Sequence, residues 1–162
     1  MKVDAVRLDN ATKSPVVILR DPEGGRLLPI WIGIFEAAAI LFALEGVETP
    51  RPLTHDLLTS VVEALGGTVE RVDVSSLEDG VYRATLHLAS PGRGSRTVDC
   101  RPSDGLAVAL RTNAPVFVEE RVLREGGTRP EAGASAAGEG GDSFWKEYLE
   151  SLDPSAFGKY KM

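Results

Sequence analysis

Three short stretches gather the side chains that do chemistry: I-W-I-G-I-F-E at 30–36, T-H-D-L-L at 54–58 and D-C-R-P-S-D-G-L at 99–106. In the first, Glu36 is the lone charge between Ile34 and Leu44, where every other residue is apolar. It reads either as a first-turn acid favoured by the helix dipole, or as a carboxylate in a partly dry cleft with a raised pKa or a cationic partner. In the second, Thr54 is expected to cap a helix and Asp56 is a natural first-turn acid. His55 between them is expected to be neutral, because protonation at a helix amino end is disfavoured. A neutral imidazole suits a base, a ligand or a plain hydrogen-bonding group. In the third, Arg101 ends a strand, Pro102 turns the chain, Ser103 caps a helix and Asp104 enters it. Strand ends that open onto helix starts aim backbone N–H groups and short polar side chains outward together. The plainer alternative is ordinary capping, with Arg101 bridging Asp99 or Asp104.

Glu36, Asp56 and Asp104 each fall in the first turn of an expected helix. If those amino ends converge, they make an acidic cleft edged by His55, Arg101 and Ser103. Divalent-metal phosphodiester hydrolysis uses such a set. Glu36, Asp56 and Asp104 would hold a Mg or Mn ion or activate water, His55 would act as base or ligand, and Arg101 would steady the phosphate. No G-x-S-x-G, Walker, H-E-x-x-H or paired C-x-x-C sequence occurs, which removes the common hydrolase, nucleotide-triphosphatase and zinc readings. His87, on the polar face of its strand, is expected to be structural, and Cys100 to be a buried thiol.

The elements that must position these residues alternate along the chain. Strands are expected over 3–8, 15–21 and 27–32, then a helix over 34–45 and another from Thr54 to Gly66-Gly67. A strand carrying Val72 and Val74 follows, and Asp79-Gly80 is a two-residue hairpin signal. Tyr82, Ala84, Leu86 and Leu88 alternate with polar residues; a strand over 95–101, a helix from 103 to about 112 and a strand over 116–118 complete the body. The runs V-V-I-L and I-W-I lack alternation, so both faces of those strands are expected to be covered. The class is α+β, with a mixed, largely antiparallel sheet and inserted helices.

Composition bounds the function. A chain of 162 residues, 43% hydrophobic and 26% charged, is expected to make one folded body of residues 1–123 with an appendage. A net charge of −6 has the wrong sign for binding nucleic acid over the whole surface, so contact with DNA or RNA must be local. The lone cysteine calls for no oxidising compartment, the charged amino terminus has no apolar leader, and the apolar run over 27–44 reads as strand plus helix. The expectation is a cytoplasmic protein without a membrane span. Residues 124–142 are Gly- and Ala-rich and read as a flexible linker, with a root-mean-square span of roughly 24 Å. Beyond it, Phe144, Trp145, Tyr148, Leu149 and Leu152 line one side of a short expected helix within residues 143–162. That helix must dock on its own body or on a partner, a second copy included.

The stretches I-W-I-G-I-F-E-A-A-A-I, R-P-L-T-H-D-L-L and D-C-R-P-S-D-G-L-A-V-A-L-R resemble the signatures of the bifunctional nuclease domain family, over roughly residues 1–123. The closing F-W-K-E-Y-L-E-S-L-D-P-S-A-F is similar to the tail of actinobacterial members. The resemblance implies an α+β fold and nuclease activity on DNA and RNA. It carries signature positions onto Gly33, Glu36, Ala37, His55, Asp56, Arg101, Pro102, Ser103 and Asp104. The commoner form of the third motif has alanine at the positions of Cys100 and Gly105, and glycine at 105 should loosen the first helical turn by about 1 kcal/mol. The rival expectation is a non-catalytic binding or regulatory module, working as a homo-oligomer or docked on a partner, with the acids as caps and Arg101 as a bridge.

Overall fold

The computed structural model describes residues 1–92 and 94–129. The chain opens with a three-strand meander, β1 (Lys2–Leu8), β2 (Pro15–Arg20) and β3 (Leu27–Trp31), paired antiparallel in that order. Helices α1 (Ile34–Leu44) and α2 (Thr54–Ala64) carry it to a second sheet. There β4 (Thr68–Glu78), β5 (Val81–Ser90) and β6 (Gly94–Cys100) form antiparallel neighbours, α3 (Pro102–Thr112) crosses, and β7 (Val116–Val118) pairs parallel with β4. A short α4 (Glu120–Gly126) follows. The class is α+β, and the strands divide into two sheets where one mixed sheet was expected.

The division follows from the connections. Adjacent strands joined by short turns pair at once, as at Asp79-Gly80, where both residues take positive φ (51° and 79°) as a type I′ hairpin requires. The two helices between β3 and β4 break that succession, so β4 starts a sheet of its own. One hydrophobic core joins the pieces: Val17, Leu19 and Leu28 from the first sheet, Val72 and Val74 from the second, and Ile40 and Leu106 from α1 and α3. All seven side chains are fully withdrawn from solvent. β2 is covered as its apolar run predicts, but Trp31 at the end of β3 is 53% exposed.

Two helix starts differ from expectation. Leu53, not Thr54, is the last non-helical residue before α2, and Arg101, not Ser103, holds that place before α3. Pro102 sits in the first helical position, where its fixed φ and missing N–H cost nothing, so Ser103 lies inside the helix and is buried. At the other end of the body, α4 continues to Gly126, and Thr128 bridges Leu27 of β3. The ordered body therefore runs past Leu123 into the stretch expected as linker. Residues 130–162, which contain the rest of that stretch and the expected C-terminal helix, lie outside the described residues. No helix among the described residues is long and apolar enough to cross a membrane.

Candidate functional site

Glu36, Asp56 and Asp104 each occupy the third position of their helix. The amino ends of α1, α2 and α3 do meet, and Arg101 is the knot. Its Nε donates to Asp104 Oδ2 at 2.7 Å, its Nη2 to Asp104 Oδ1 at 3.1 Å and its Nη1 to Glu36 Oε1 at 2.7 Å. His55 Nε2 stands 3.3 Å from Asp104 Oδ1. Glu36, Arg101, Asp104 and His55 thus form one continuous polar chain across the three helix starts. Glu36 both stands in the first turn of α1 and has a cationic partner in Arg101. Of Arg101's two expected partners, Asp104 is taken.

Exposure is uneven along this chain. The side chains of Glu36 and His55 are 19% and 16% exposed, whereas Arg101's is 65% exposed. Burial pushes the Asp104 carboxyl up, but the hydrogen bonds from Arg101 and His55 and their charges outweigh it and hold the group below its usual range. Arg101 is pushed further up by the same carboxylates. Gly33, the residue before α1, leaves room for Glu36 to fold back: a methyl group there would overlap Glu36 Oε2.

Asp56 stands apart. Its Oδ2 accepts the Leu53 amide at 2.8 Å, and its Oδ1 accepts Arg111 Nε at 2.5 Å. Arg111 also donates to the Ala39 and Ala107 carbonyls, tying α1, α2 and α3 together. Burial raises the Asp56 carboxyl, but Arg111 and the Leu53 amide more than offset it and the net shift is downward. The expected trio of metal-holding carboxylates is therefore split. Asp56 is taken up by a structural arginine, and a guanidinium cation lies between Glu36 and Asp104, where an ion's ligands would have to meet. Among the described residues, no three His, Cys, Asp or Glu side chains are grouped to hold a metal ion. As arranged, these carboxylates do not fit one.

Glu36 and Arg101 of this chain border a cleft of about 450 Å³, whose walls also include Trp31, Gly33, Tyr82 and Ser103. The sequence did not flag Trp31 or Tyr82 for function. The signals were there, since Trp31 lies two residues before Gly33 and Tyr82 follows the Asp79-Gly80 turn. Tyr82 Oη donates to the Pro29 carbonyl at 3.4 Å, and burial raises its pKa. Elsewhere the expectations were plainer. His87 is bound to Asp73 at 2.7 Å on the other side of the β-sheet from α3, and Cys100 is half-buried, its thiol pushed up to about 11 by burial and by Asp104 and Asp99.

Helix starts gathered around a solvent-facing arginine, beside an open cleft on an α+β body, define a small domain with a polar surface site. The model of the bifunctional nuclease domain matches residues 17–131, and the chain belongs to that family. It is 39% identical over 162 residues to an uncharacterized protein of Mycobacterium tuberculosis, covering 97% of this chain and 96% of that one. It is also 30% identical over 118 residues to bifunctional nuclease 1 of Arabidopsis thaliana, and 27% identical over 123 residues to bifunctional nuclease 1 of Oryza sativa subsp. indica. Those two matches cover 71% and 75% of this chain but only 36% and 37% of the plant proteins.

Proposed function

We propose that the protein is a nuclease that hydrolyses phosphodiester bonds of DNA or RNA in the cleft beside Arg101. The observation that carries this reading is the Glu36–Arg101–Asp104–His55 chain, whose Glu36 and Arg101 line an open cleft. Family membership and the names of the plant relatives support it. Three of the five guanidinium N–H groups of Arg101 are held by carboxylates, which leaves two for a phosphate oxygen and its developing charge. With Nε2–H donated to Asp104, His55 has Nδ1 as its proton-accepting atom and can take a proton from the attacking water. Asp104, ionised at neutral pH, fixes that tautomer and steadies the imidazolium. Glu36 holds the guanidinium from its other side, and the exposed ring of Trp31 offers a surface on which a base can stack. The overall negative charge keeps the contact local. One cysteine with no bridge to make fits a reducing compartment, so we place this chemistry in the cytoplasm.

The test is cleavage of labelled single- and double-stranded DNA and RNA, in EDTA and with Mg²⁺ or Mn²⁺, by the protein and by Arg101→Lys, His55→Gln and Glu36→Gln. Losing a positioned base or a charge-stabilising donor should cost about 10²-fold or more in rate, with circular dichroism unchanged. Equal cutting by all four proteins would assign the activity to a contaminant.

A second reading, a binding module, is favoured by α2. It buries none of its residues, and Leu57, Leu58, Val61 and Leu65 are 43–73% exposed along it. Self-association through that stripe would show as a mass above the monomer in light scattering that Val61→Asp abolishes.

A further inference from the structure

We propose that two copies of the chain pair edge to edge along β6, joining their second sheets into one eight-stranded sheet across a two-fold axis, with α2 packed on α2 above the seam. The pairing rests on the self-association reading of α2 and is independent of the nuclease one. A sheet edge presents unpaired N–H and C=O groups to any strand that can reach it, and folded proteins blunt their edges. Three of the four edges here are blunted. β1 carries a bulge between Val3 and Ala5, β3 has Pro29 at its middle and the Thr128 bridge at its start, and β7 is three residues long. β6 is the exception. It is an end strand of seven residues that pairs with β5 in unbroken register and contains neither proline nor lysine.

The inner face of β6 is left uncovered as well. α3 packs on β4 and β5, and Val98, the β6 partner of buried Leu86, is 47% exposed. α2 lies on this side of α3, where Val62 and Leu65 line a groove of about 150 Å³ with Leu88, Gly94 and Arg96. At 100° per residue, Leu57, Leu58, Val61 and Leu65 share an arc of about 100° on α2. Asp56, bound to Arg111 of α3, stands on the opposite side of that helix. The apolar stripe therefore points away from α3, toward the free edge of β6. Arg96 is the one charge in the inner row of β6; it is exposed, so its stem can lie along the groove with its head in water.

The occupant is a second copy because both elements are symmetric about their own midpoints. Antiparallel pairing of Gly94–Cys100 with itself sets Thr97 opposite Thr97, Ser95 opposite Asp99 and Arg96 opposite Val98, so no like charges stand directly opposed. α2 runs antiparallel to β6: His55 at its start meets Asp104, just beyond Cys100, and Leu65 at its end meets Gly94. Val61 thus lies above the middle of the strand. The axis that brings Thr97 onto Thr97 also brings Val61 onto Val61 and Leu57 onto Leu65. A seven-residue strand is about 23 Å long, and a helix about 10 Å wide packed about 10 Å above the sheet makes the face roughly 20 Å tall. With its side-chain relief, such a face reaches the roughly 600 Å² per copy at which specific interfaces begin.

The test uses the full-length protein. Light scattering over a dilution series should give twice the chain mass, and Val98→Lys, which puts a charge on the inner side of the seam, should give the monomer mass with circular dichroism unchanged. Directly opposed side chains have Cβ atoms about 4.5–5.5 Å apart, close to disulfide reach. In a Cys100→Ala background, Thr97→Cys should therefore link two copies under mild oxidation many-fold faster than Asn10→Cys, which lies in an exposed turn. A monomer at every concentration would overturn the pairing and the self-association reading together. A dimer that Val61→Asp splits but Val98→Lys leaves whole would keep that reading and overturn the pairing along β6. Linking at Thr97 no faster than at Asn10 would also overturn it, whatever becomes of Val98→Lys.

Discussion

Replacing Asp56 separates a structural carboxylate from a catalytic one. Its side chain is 37% exposed while its partner Arg111 is 11% exposed, so the pair lies between two regimes. Exposed pairs contribute about 0–1 kcal/mol, and breaking a buried pair costs about 3–5 kcal/mol because the remaining charge is stranded. Arg111 keeps its bonds to the Ala39 and Ala107 carbonyls in either case, which softens the loss. Asp56→Asn retains an oxygen for the Leu53 amide and removes only the charge, so a loss of about 1–2 kcal/mol is expected. Asp56→Ala also removes the cap, adding about 1 kcal/mol. In a body of this size that corresponds to a fall in Tm of roughly 3–8 °C for the first and 6–12 °C for the second.

The pH dependence carries a sign. The folded pKa of Asp56 lies below its ordinary value of 3.8, so its contribution is fully present above that value and fades as pH falls through the lower, folded one. The native protein and Asp56→Asn should therefore differ in urea unfolding at pH 7 and converge in acid. The reasoning is refuted if Asp56→Asn unfolds at the same urea concentration as the native protein at pH 7, or if it keeps full stability while losing cleavage.

Other outcomes follow from single contacts. Gly33→Ala should barely change Tm, since the atom its methyl displaces ends a flexible side chain, yet cleavage should fall because Glu36 leaves Arg101; an unchanged rate would count against Glu36. In Gly105→Ala the new methyl would stand 2.8 Å from Val72 Cγ1 and 3.3 Å from Cys100 Sγ. Overpacking of about 1–3 kcal/mol should then outweigh the roughly 1 kcal/mol gained in helix propensity, and Cys100→Ala should recover part of the Tm lost. Cys100, with its pKa moved from 9.0 to about 11, should present about one-hundredth of an ordinary thiolate at neutral pH. Ellman's reagent should label it slowly until denaturant is added, and rapid native labelling would contradict the burial.

Much of the body was legible because local signals agreed with one another. Alternation in β5, the Asp79-Gly80 turn and the apolar run of α1 each specified an element without help from the rest of the chain. The sequence also placed Glu36, Asp56 and Asp104 in first turns, because that position depends only on where a helix begins. α4 escaped notice because seven residues with two buried apolar side chains carry too little periodicity, and its place is set by packing against β4 and β3.

What the sequence could not contain was direction across the fold. Asp56 and Asp104 look alike in one dimension, both acids in a first turn beside a polar neighbour. Only the packing of α3 against α1 and α2 puts Arg111 beside the first and His55 beside the second; the Arg101–Asp104 pair is local to the start of α3. The same packing places a guanidinium where the carboxylates were expected to share an ion. Burial of Arg7's nitrogens and exposure of Trp31 were equally out of reach, because residues paired across two strand ladders share a face only once the register is set. Composition and periodicity determine which elements form. Which of the distant polar side chains meet depends on contacts between residues 49 to 65 positions apart, and those exist only in the folded chain.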